Sequence, residues 1–312
     1  MRASVVFSVL KVYLRGSLGA LGLALLLSGC SFRKPPEAST SFPQLEECQD
    51  SALQNGLDLA MQELSLKEAA DQQRLSIELV DITDLARPRA AGINQNYMMY
   101  AASLPKIAIL FGLLKRVEQG TLEWDSGTRA LAIRMIRFSS NEAASELFHM
   151  VGPQYIASLL SSPAYGFYRV DQGGGLWVGK EYGRGEAWMR EPLRQLSHAA
   201  SAMSVARFYY LLETGALLSP PLTALMKEVL AYPALHHKFV RGLRSRHRAV
   251  RLYRKGGSWG NFHSDSAIVE RNGRKYIAVA LTEDPNGAEW LESLIIRMDQ
   301  LVFGLSPKMD WT

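Results

Sequence analysis

The chain has 312 residues, of which 47% are hydrophobic and 21% are charged. This composition suits one large globular domain or two smaller ones, and it excludes both a largely disordered chain and a protein with many membrane spans. The 35 Lys and Arg residues exceed the 30 Asp and Glu residues, for a net charge of +5. Without residues 1–29 the excess falls to +2, so the charge gives no reason to expect a nucleic-acid partner.

The first 29 residues have the outline of a secretory signal. Positive charges at Arg2, Lys11 and Arg15 precede an apolar run over residues 18–27. That run is about half the ~20 residues that a membrane-spanning helix needs, so a spanning anchor is the weaker interpretation.

The segment Leu27-Ser28-Gly29-Cys30 resembles the lipobox of bacterial lipoproteins, whose cysteine becomes the lipidated first residue of the mature chain. The resemblance implies a lipoprotein signal peptide over residues 1–29 and an acylated N-terminus that holds the protein on a membrane. It also implies a periplasm-facing protein of the cell envelope, with Ser31 favouring the outer over the inner membrane. The alternative is an ordinary signal peptide, which leaves Cys30 free to pair with Cys48.

Residues 30–44 are rich in Pro and Ser and lack an apolar period, which predicts a flexible tether before a domain over residues 45–312. Helical spacing of apolar residues then extends to about Arg74, and residues 75–82 alternate as a β-strand does. The pattern over residues 103–210 is mainly helical, interrupted by a Gly-rich stretch at 172–185.

Three strands are predicted near the C-terminus, at residues 250–255, 265–270 and 275–282. Asn272-Gly273 between the last two is a strong hairpin signal, and an amphipathic helix around Trp290 to Leu301 closes the domain. The element order predicts an α/β (α+β) domain in which an antiparallel sheet, built from both chain ends, is flanked by helices and carries a helical subdomain. A functional site is expected in the cleft between the two parts.

Ser103-Leu104-Pro105-Lys106 opens an apolar helix. The three-residue spacing puts the Ser hydroxyl and the Lys amine on one face, where a desolvated amine can act as the base for the hydroxyl. The pattern alone is weak, because Ser8 and Lys11, and Ser31 and Lys34, have the same spacing.

Two further motifs follow Ser103 in order. Ser139-Ser140-Asn141 is the only Ser-x-Asn of the chain, and Lys255-Gly256-Gly257 is its only Lys-x-Gly. Taken singly, the first is more often a helix N-cap and the second a surface turn. Together with Ser103 and Lys106, they resemble the signature elements of the penicillin-recognising serine hydrolases, which include the class A β-lactamases and the penicillin-binding proteins. The resemblance covers residues 45–303 and implies a β-lactamase/transpeptidase-like fold.

The resemblance also implies catalytic roles. Ser103 is then the acylated nucleophile and Lys106 its base, and Ser139 passes a proton to the leaving nitrogen. Asn141 holds the amide side chain of the substrate, and Lys255 adds positive potential near the substrate carboxylate. No cofactor and no metal are implied.

Gly257 and Ser258 are expected to bind substrate, with the Ser258 and Ser103 N–H groups forming the oxyanion hole. Gly256 stands where the family has Thr or Ser, and Ser258 is a candidate to replace the missing hydroxyl. The interval from Ser103 to Ser139 is shorter than in typical class A enzymes, which predicts a reduced helical part or a more open site.

Class A β-lactamases carry Glu-x-x-Leu-Asn between the second and third motifs, and this chain does not. Glu181, Glu186 and Glu191 lie in that interval, and Glu191, followed by Pro192-Leu193, comes nearest to the pattern. Glu191 is therefore the candidate for the base that activates the deacylating water.

Three other features carry weaker hypotheses. His263 and Asp265 are candidates for a metal site or a catalytic base pair, although structural hydrogen bonding is the preferred interpretation. Residues 236–255 hold eight Lys or Arg and no acid, which predicts either a solvated surface or an electropositive rim for anionic substrates. The Gly-x-Ser-x-Gly pattern at 256–260 is not a nucleophile elbow, because strands follow it rather than a helix.

The sequence therefore predicts a lipid-anchored, β-lactamase-like serine hydrolase that forms an acyl-enzyme at Ser103 and hydrolyses a β-lactam or a related amide. One alternative is a D,D-peptidase of the penicillin-binding type, which deacylates slowly and takes peptidoglycan stems. Another, from a different class, is a non-catalytic lipoprotein that binds the cell envelope.

Overall fold

The computed structural model describes residues 42–247 and 249–304. The predicted signal peptide over residues 1–29, the lipidation site Cys30 and most of the predicted tether lie outside the described residues. Leu45 is buried in the core, within a short 3₁₀ helix over Leu45–Glu47. Within the described part of the chain, no helix is long and apolar enough to cross a membrane.

The strands are numbered in chain order: β1 Leu75–Asp81, β2 Arg89–Ile93, β3 Met99–Tyr100, β4 Tyr168–Arg169, β5 Gly174–Gly175, β6 Trp177–Val178, β7 His198–Ala200, β8 Arg251–Trp259, β9 Phe262–Arg271 and β10 Arg274–Glu283. The main sheet has five antiparallel strands in the order β2-β1-β10-β9-β8. A small sheet has the order β3-β7-β6, and β4 pairs with β5.

The helices are α1 Ser51–Glu63, α2 Lys67–Asp71, α3 Lys106–Glu118, α4 Ser126–Arg137, α5 Asn141–Val151, α6 Pro153–Leu160, α7 Ala202–Glu213, α8 Pro220–Leu230, α9 Phe239–Arg244 and α10 Gly287–Gly304. Residues 103–210 contain α3 to α6 and most of α7, but residues 161–201 form no α-helix, a longer interruption than the predicted one at 172–185. Helical structure then continues through α8 and α9. The Gly-rich stretch contains no α-helix, as expected: it follows a 3₁₀ helix over Val170–Gln172 with short strands and loops.

The main sheet is covered on both faces, so all seven residues of β1 are buried. Leu75, Ile77 and Leu79 belong to a core with α1 and α10, whereas Val80 belongs to the larger core that includes the helical part. This sheet, with flanking helices and a helical subdomain, is the fold class that the sequence predicts.

The predicted hairpin is present: Arg271 pairs with Arg274 across Asn272 and Gly273. Both turn residues have positive φ, 48° and 76°, as a two-residue turn between twisted strands requires. One expectation is wrong at the other strand: β8 does not end at Lys255 but continues to Trp259. The Lys-Gly-Gly motif thus lies within an edge strand, not at a strand end.

Candidate active site

The three motifs meet at a cleft between the main sheet and the helical part, with a cavity of about 240 Å³. Ser103 precedes α3, Asn141 begins α5, and Ser258 lies on β8. These three residues line the cavity together with residues of β3, β7 and β8 and of the loops after β3 and before β7: Tyr100, Ala102, Lys180, Glu181, Tyr182, Gly183, Ser197, His198 and Trp259.

Lys106 is the first residue of α3, and its side chain is buried beneath the cleft. Its Nζ donates to the carbonyl oxygen of Ser139 and to Oδ1 of Asn141, both at 2.7 Å. Burial lowers the pKa of Lys106 to about 7, because an apolar environment disfavours the ammonium form. A large fraction of the amine is thus neutral at neutral pH, as a base for the Ser103 hydroxyl must be.

Ser139 and Ser140 divide two tasks between them. Ser140 is the N-cap of α5 and accepts a hydrogen bond from Ala143 N at 3.1 Å, so this residue of the motif has the helix-capping role. Ser139 has a positive φ of 59°, and its Oγ accepts a hydrogen bond from Lys255 Nζ at 2.9 Å. The backbone turn at Ser139 thus leaves its hydroxyl free to take part in chemistry while Ser140 holds the helix.

Lys255 is buried on β8, and besides Ser139 its Nζ contacts Gly256 O at 2.5 Å. The pKa of Lys255 is held well below its ordinary value, first by burial and then by the positive charge of Lys106. Lys106 and Lys255 therefore contact the same residue, one at the carbonyl and the other at the hydroxyl, and positive charge on Lys106 disfavours the charged form of Lys255.

The two glycines of the third motif are required for different reasons. A Cβ at Gly257 would lie 2.5 Å from Ser103 N and 2.6 Å from Ala101 O, so this strand packs directly on the backbone that carries Ser103. A Cβ at Gly256 would lie 2.7 Å from both Arg254 Nη2 and Asp265 Oδ1. The Thr or Ser of the family therefore does not fit at position 256.

Arg254 and Asp265 form a buried bidentate ion pair, with Nε–Oδ1 and Nη2–Oδ2 distances of 2.6 and 2.8 Å. Asp265 also accepts from Phe239 N at 3.1 Å, whereas His263 Nδ1 lies 3.0 Å from Ser258 Oγ. His263 and Asp265 thus have separate partners, and the preferred structural interpretation is supported. Among the residues described, no group of three or more His, Cys, Asp or Glu is placed to hold a metal.

The structure does not bring Glu191 into the cleft, which corrects the expectation from the sequence. Its carboxylate is buried and accepts hydrogen bonds from Tyr168 Oη and from the backbone N–H groups of Leu193, Arg194 and Leu196, at 2.8 to 2.9 Å. Four donors occupy both oxygens, so Glu191 organises its own loop.

Of the three candidate acids, Glu181 is the one that lines the cleft. Its Oε2 lies 2.8 Å from Nε2 of His149, a hydrogen bond that lowers the pKa of Glu181. Glu186 is exposed outside the cavity lining.

Sequence reasoning missed two residues of the cleft, Tyr182 and His198. The Tyr182 ring lies over Lys106, with 4.4 Å between Nζ and the ring centroid, and its hydroxyl donates to Ala102 O at 3.3 Å. The His198 ring packs against Tyr182 at a centroid distance of 4.2 Å, and burial lowers the pKa of His198 to about 4, so the imidazole is neutral. An aromatic residue within the Gly-rich stretch was the available signal for Tyr182.

The basic run over residues 236–255 divides into buried and exposed residues. Lys238, Arg254 and Lys255 are buried. Four arginines are exposed, two of them in surface ion pairs with Glu292 and Glu270: Arg241, Arg244, Arg246 and Arg251. The run is thus partly structural and partly a solvated basic surface.

Comparison with known proteins identifies the family. A sequence model described as the β-lactamase enzyme family matches residues 60–129 and 128–303, which is more than half of the chain. The chain belongs to this family of β-lactamase-like serine hydrolases. No curated protein sequence matches it significantly.

Solved structures confirm the β-lactamase/transpeptidase-like fold. A β-lactamase from Sphaerobacter thermophilus has a TM-score of 0.63 at 16% identity, covering 81% of this chain and 98% of its own. A mutant of PBP-A, in an acyl-enzyme complex with penicillin G, has a TM-score of 0.61 at 18% identity, covering 80% and 96%. A variant of the class A β-lactamase of the last common ancestor of Gram-negative bacteria has a TM-score of 0.60 at 20% identity, covering 79% of this chain and 97% of its own.

Proposed function

We propose that the chain is a lipid-anchored serine hydrolase of the cell envelope, facing the periplasm, that forms an acyl-enzyme at Ser103. The observation that carries the proposal is the meeting of the motifs at Ser139, where Lys106 contacts the carbonyl and Lys255 the hydroxyl. Burying two amines against one residue is costly for stability. Such strongly perturbed groups beside a cleft are typical of catalytic sites.

In the acylation step, Ser103 Oγ attacks the amide carbonyl carbon of a β-lactam or of a peptide ending in D-Ala-D-Ala. Neutral Lys106 takes the hydroxyl proton as the ester bond forms, and the carbon–nitrogen bond then breaks. The leaving nitrogen takes a proton from Ser139 Oγ, which recovers one from Lys255 Nζ at 2.9 Å.

The charges of the two lysines couple these proton transfers. Lys106 becomes positive when it takes the Ser103 proton, and positive charge on Lys106 lowers the pKa of Lys255. Uptake of a proton at one lysine therefore favours its release from the other. The N–H groups of Ser103 and Ser258 stabilise the negative oxygen that develops between these steps.

The surroundings of Lys106 favour slow deacylation. Glu191 is engaged by four donors outside the cleft, Glu181 is paired with His149, and the Tyr182 ring covers the amine. A penicillin-binding enzyme of the D,D-peptidase type is therefore better supported than a fast β-lactamase. The position of Glu181 in the cleft lining favours the β-lactamase as the second candidate, with Glu181 as its base.

The test is covalent labelling of the full chain, in detergent, by a fluorescent penicillin. We expect one stable adduct, absent in Ser103→Ala and retained in Ser31→Ala, which alters the same Ser-x-x-Lys pattern in the tether that the mature chain keeps. Labelling of Ser103→Ala would overturn the site assignment. A wild type that takes no label from penicillins and cleaves no D-Ala-D-Ala peptide would instead support the non-catalytic lipoprotein.

A further inference from the structure

Lys238 is a buried lysine that the acylation steps do not use. It immediately precedes α9 in an unusual backbone conformation, with φ 53° and ψ −123°, and its side chain reaches between β8 and β9. Its Nζ lies 2.6 Å from Gly257 O, 2.9 Å from Ser258 Oγ and 2.9 Å from Ser264 O. Non-glycine residues rarely adopt such a backbone conformation, and their strain is often found beside functional sites.

The protons of Lys238 can be fully accounted for. An ammonium group has three N–H donors and no acceptor, and three oxygens surround Nζ at hydrogen-bond distance. Burial lowers the pKa of Lys238 to about 8, and the carboxylate of Asp265 opposes that shift. The group is therefore mainly an ammonium ion at neutral pH and donates one hydrogen bond to each of the three oxygens.

The shortest of these bonds acts on the peptide group between Gly257 and Ser258. The carbonyl of Gly257 and the N–H of Ser258 belong to the same trans peptide, so they point in opposite directions. A charged donor on the carbonyl polarises the peptide and strengthens its N–H as a donor. That peptide lies against Ser103, because a Cβ at Gly257 would lie 2.5 Å from Ser103 N.

We propose that Lys238 is a positioning residue that strengthens the oxyanion hole by polarising the Gly257–Ser258 peptide. The same ammonium fixes the Ser258 side chain, since Ser258 Oγ accepts from Lys238 and lies 3.0 Å from His263 Nδ1. The inference rests on the proposed function, because it requires an acyl carbonyl at Ser103.

Several charged or titratable groups face Lys238. Asp265 and Arg254 form the ion pair on β9 and β8, Lys255 lies further along β8, and His263 follows on β9. His237 precedes Lys238 in the chain, and burial lowers the pKa of its imidazole to about 4. Lys238 is the member of this group that donates to the Gly257 carbonyl at 2.6 Å.

The first experiment compares the wild type with Lys238→Met and Lys238→Arg, as full chains acylated by penicillin G. We expect Lys238→Met to acylate about tenfold more slowly, less than the effect of removing an oxyanion donor outright. The infrared carbonyl band of its acyl-enzyme should move to higher wavenumber, because weaker donors polarise the carbonyl less. Lys238→Arg should recover part of the acylation rate and part of the band position, since it keeps a charged donor.

Lys227→Met is the matched control. Lys227 lies on α8 and is not part of the cleft lining. Its amine forms an ion pair with Glu213 at 2.5 Å and lies over the ring of Tyr253. It should acylate at the wild-type rate with an unchanged carbonyl band.

If the Lys238→Met variant folds and matches the wild type in both its acylation rate and its carbonyl band, the inference is overturned and the proposed function stays intact. A wild type that forms no acyl-enzyme would overturn the proposed function itself. Should Lys238→Met fail to fold, the wild-type band is followed from pH 6.5 to pH 9.5. A rise in wavenumber centred near the Lys238 pKa of about 8 is expected, and a constant band would overturn the inference.

Discussion

The aromatic ring of Tyr182 lies over the amine of Lys106, with 4.4 Å between Nζ and the ring centroid. A hydrogen bond from the Tyr182 hydroxyl to Ala102 O, at 3.3 Å, holds the ring beside the backbone that leads to Ser103. With no acid of the described cleft lining free to activate a deacylating water, Lys106 is the remaining base near the ester, and the apolar face of the ring covers it. The contact therefore bears on the lifetime of the acyl-enzyme more than on its formation.

We expect Tyr182→Ala to shorten the lifetime of the penicillin adduct by about tenfold, because an opened site admits water to the ester. Tyr182→Phe keeps the ring and should keep the long lifetime. The measurement is the decay of fluorescent label after excess penicillin is removed. Tyr155→Ala is the control, since this ring also covers a cation, Arg116 at 3.8 Å, but lies outside the cleft. Equal lifetimes in Tyr182→Ala and the wild type would contradict the role given to the ring.

A local pattern was enough to predict the hairpin at Asn272-Gly273. The meeting of Lys255 with Ser139, 2.9 Å apart, was expected from the family resemblance and not from any local pattern. Local patterns failed where long-range packing decides the structure. Lys255 was expected at a strand end, but β8 continues to Trp259, and Gly257 is needed for the close approach of this strand to Ser103 N. The chain beyond Lys255 is extended because that approach, and pairing with β9, override the turn preference of glycine.

Which of the candidate acids lines the cleft was also beyond sequence reasoning. Glu191 comes closest to the family pattern, yet three backbone N–H groups and the Tyr168 hydroxyl donate hydrogen bonds to its carboxylate, outside the cleft. Which of several acids in a loop enters a cleft depends on the path of that loop, which no local periodicity specifies. Tyr182 and Lys238 were missed for the same reason, since their partners are distant in sequence: Lys106 and Gly257.

The pKa of Lys106 predicts the pH dependence of acylation. Burial lowers this pKa to about 7, and the neutral amine is the base, so the acylation rate should rise with pH through this value and then level off. Stopped-flow acylation by penicillin G, measured across this range with thermal unfolding as a check on the fold, gives the profile. Lys106→Arg should lose about 10²-fold or more in rate, because its guanidinium stays protonated. A rate that does not change with pH through neutrality would argue against Lys106 as the base.

Gly256→Thr restores the hydroxyl that the family usually carries, but we expect it to destabilise the protein. The new Cβ would lie 2.7 Å from Arg254 Nη2 and Asp265 Oδ1, within a buried ion pair that cannot move freely. Overpacking of this kind costs about 1–3 kcal/mol, to be measured as the free energy of unfolding in urea. Gly127→Ala is the control, because its nearest neighbouring atom, Asp125 Oδ1, would lie at an ordinary 3.5 Å. A Gly256→Thr variant as stable as the wild type would show that the ion pair yields easily.

The lipid anchor is tested by growing expressing cells with radiolabelled palmitate. Label should enter the wild type and Cys48→Ala but not Cys30→Ala. Cys48 is a matched control, since it is buried, its Sγ donates to Gln44 O at 3.1 Å, and burial raises the pKa of the thiol. Label retained in Cys30→Ala would refute the lipoprotein assignment, and a cleaved but unlabelled wild type would favour an ordinary signal peptide.

Turnover separates a penicillin-binding enzyme from a β-lactamase. Deacylation without a general base is slower by about a hundredfold or more, so nitrocefin should give a burst of one product per enzyme and then a weak steady state. Glu191→Gln should leave both phases unchanged, because the carboxylate is engaged outside the cleft. It should still lower the free energy of unfolding by about 1–3 kcal/mol, since an amide nitrogen would then face backbone N–H donors.

Glu181→Gln provides the decisive comparison, because Glu181 is the candidate acid in the cleft lining. Fast turnover in the wild type, together with a trapped acyl-enzyme in Glu181→Gln, would make Glu181 the deacylating base and the chain a β-lactamase. An acyl-enzyme trapped instead by Glu191→Gln would mean that this loop rearranges during the reaction. A slow steady state in all three proteins is the expected result, because His149 holds the Glu181 carboxylate and Tyr182 covers Lys106.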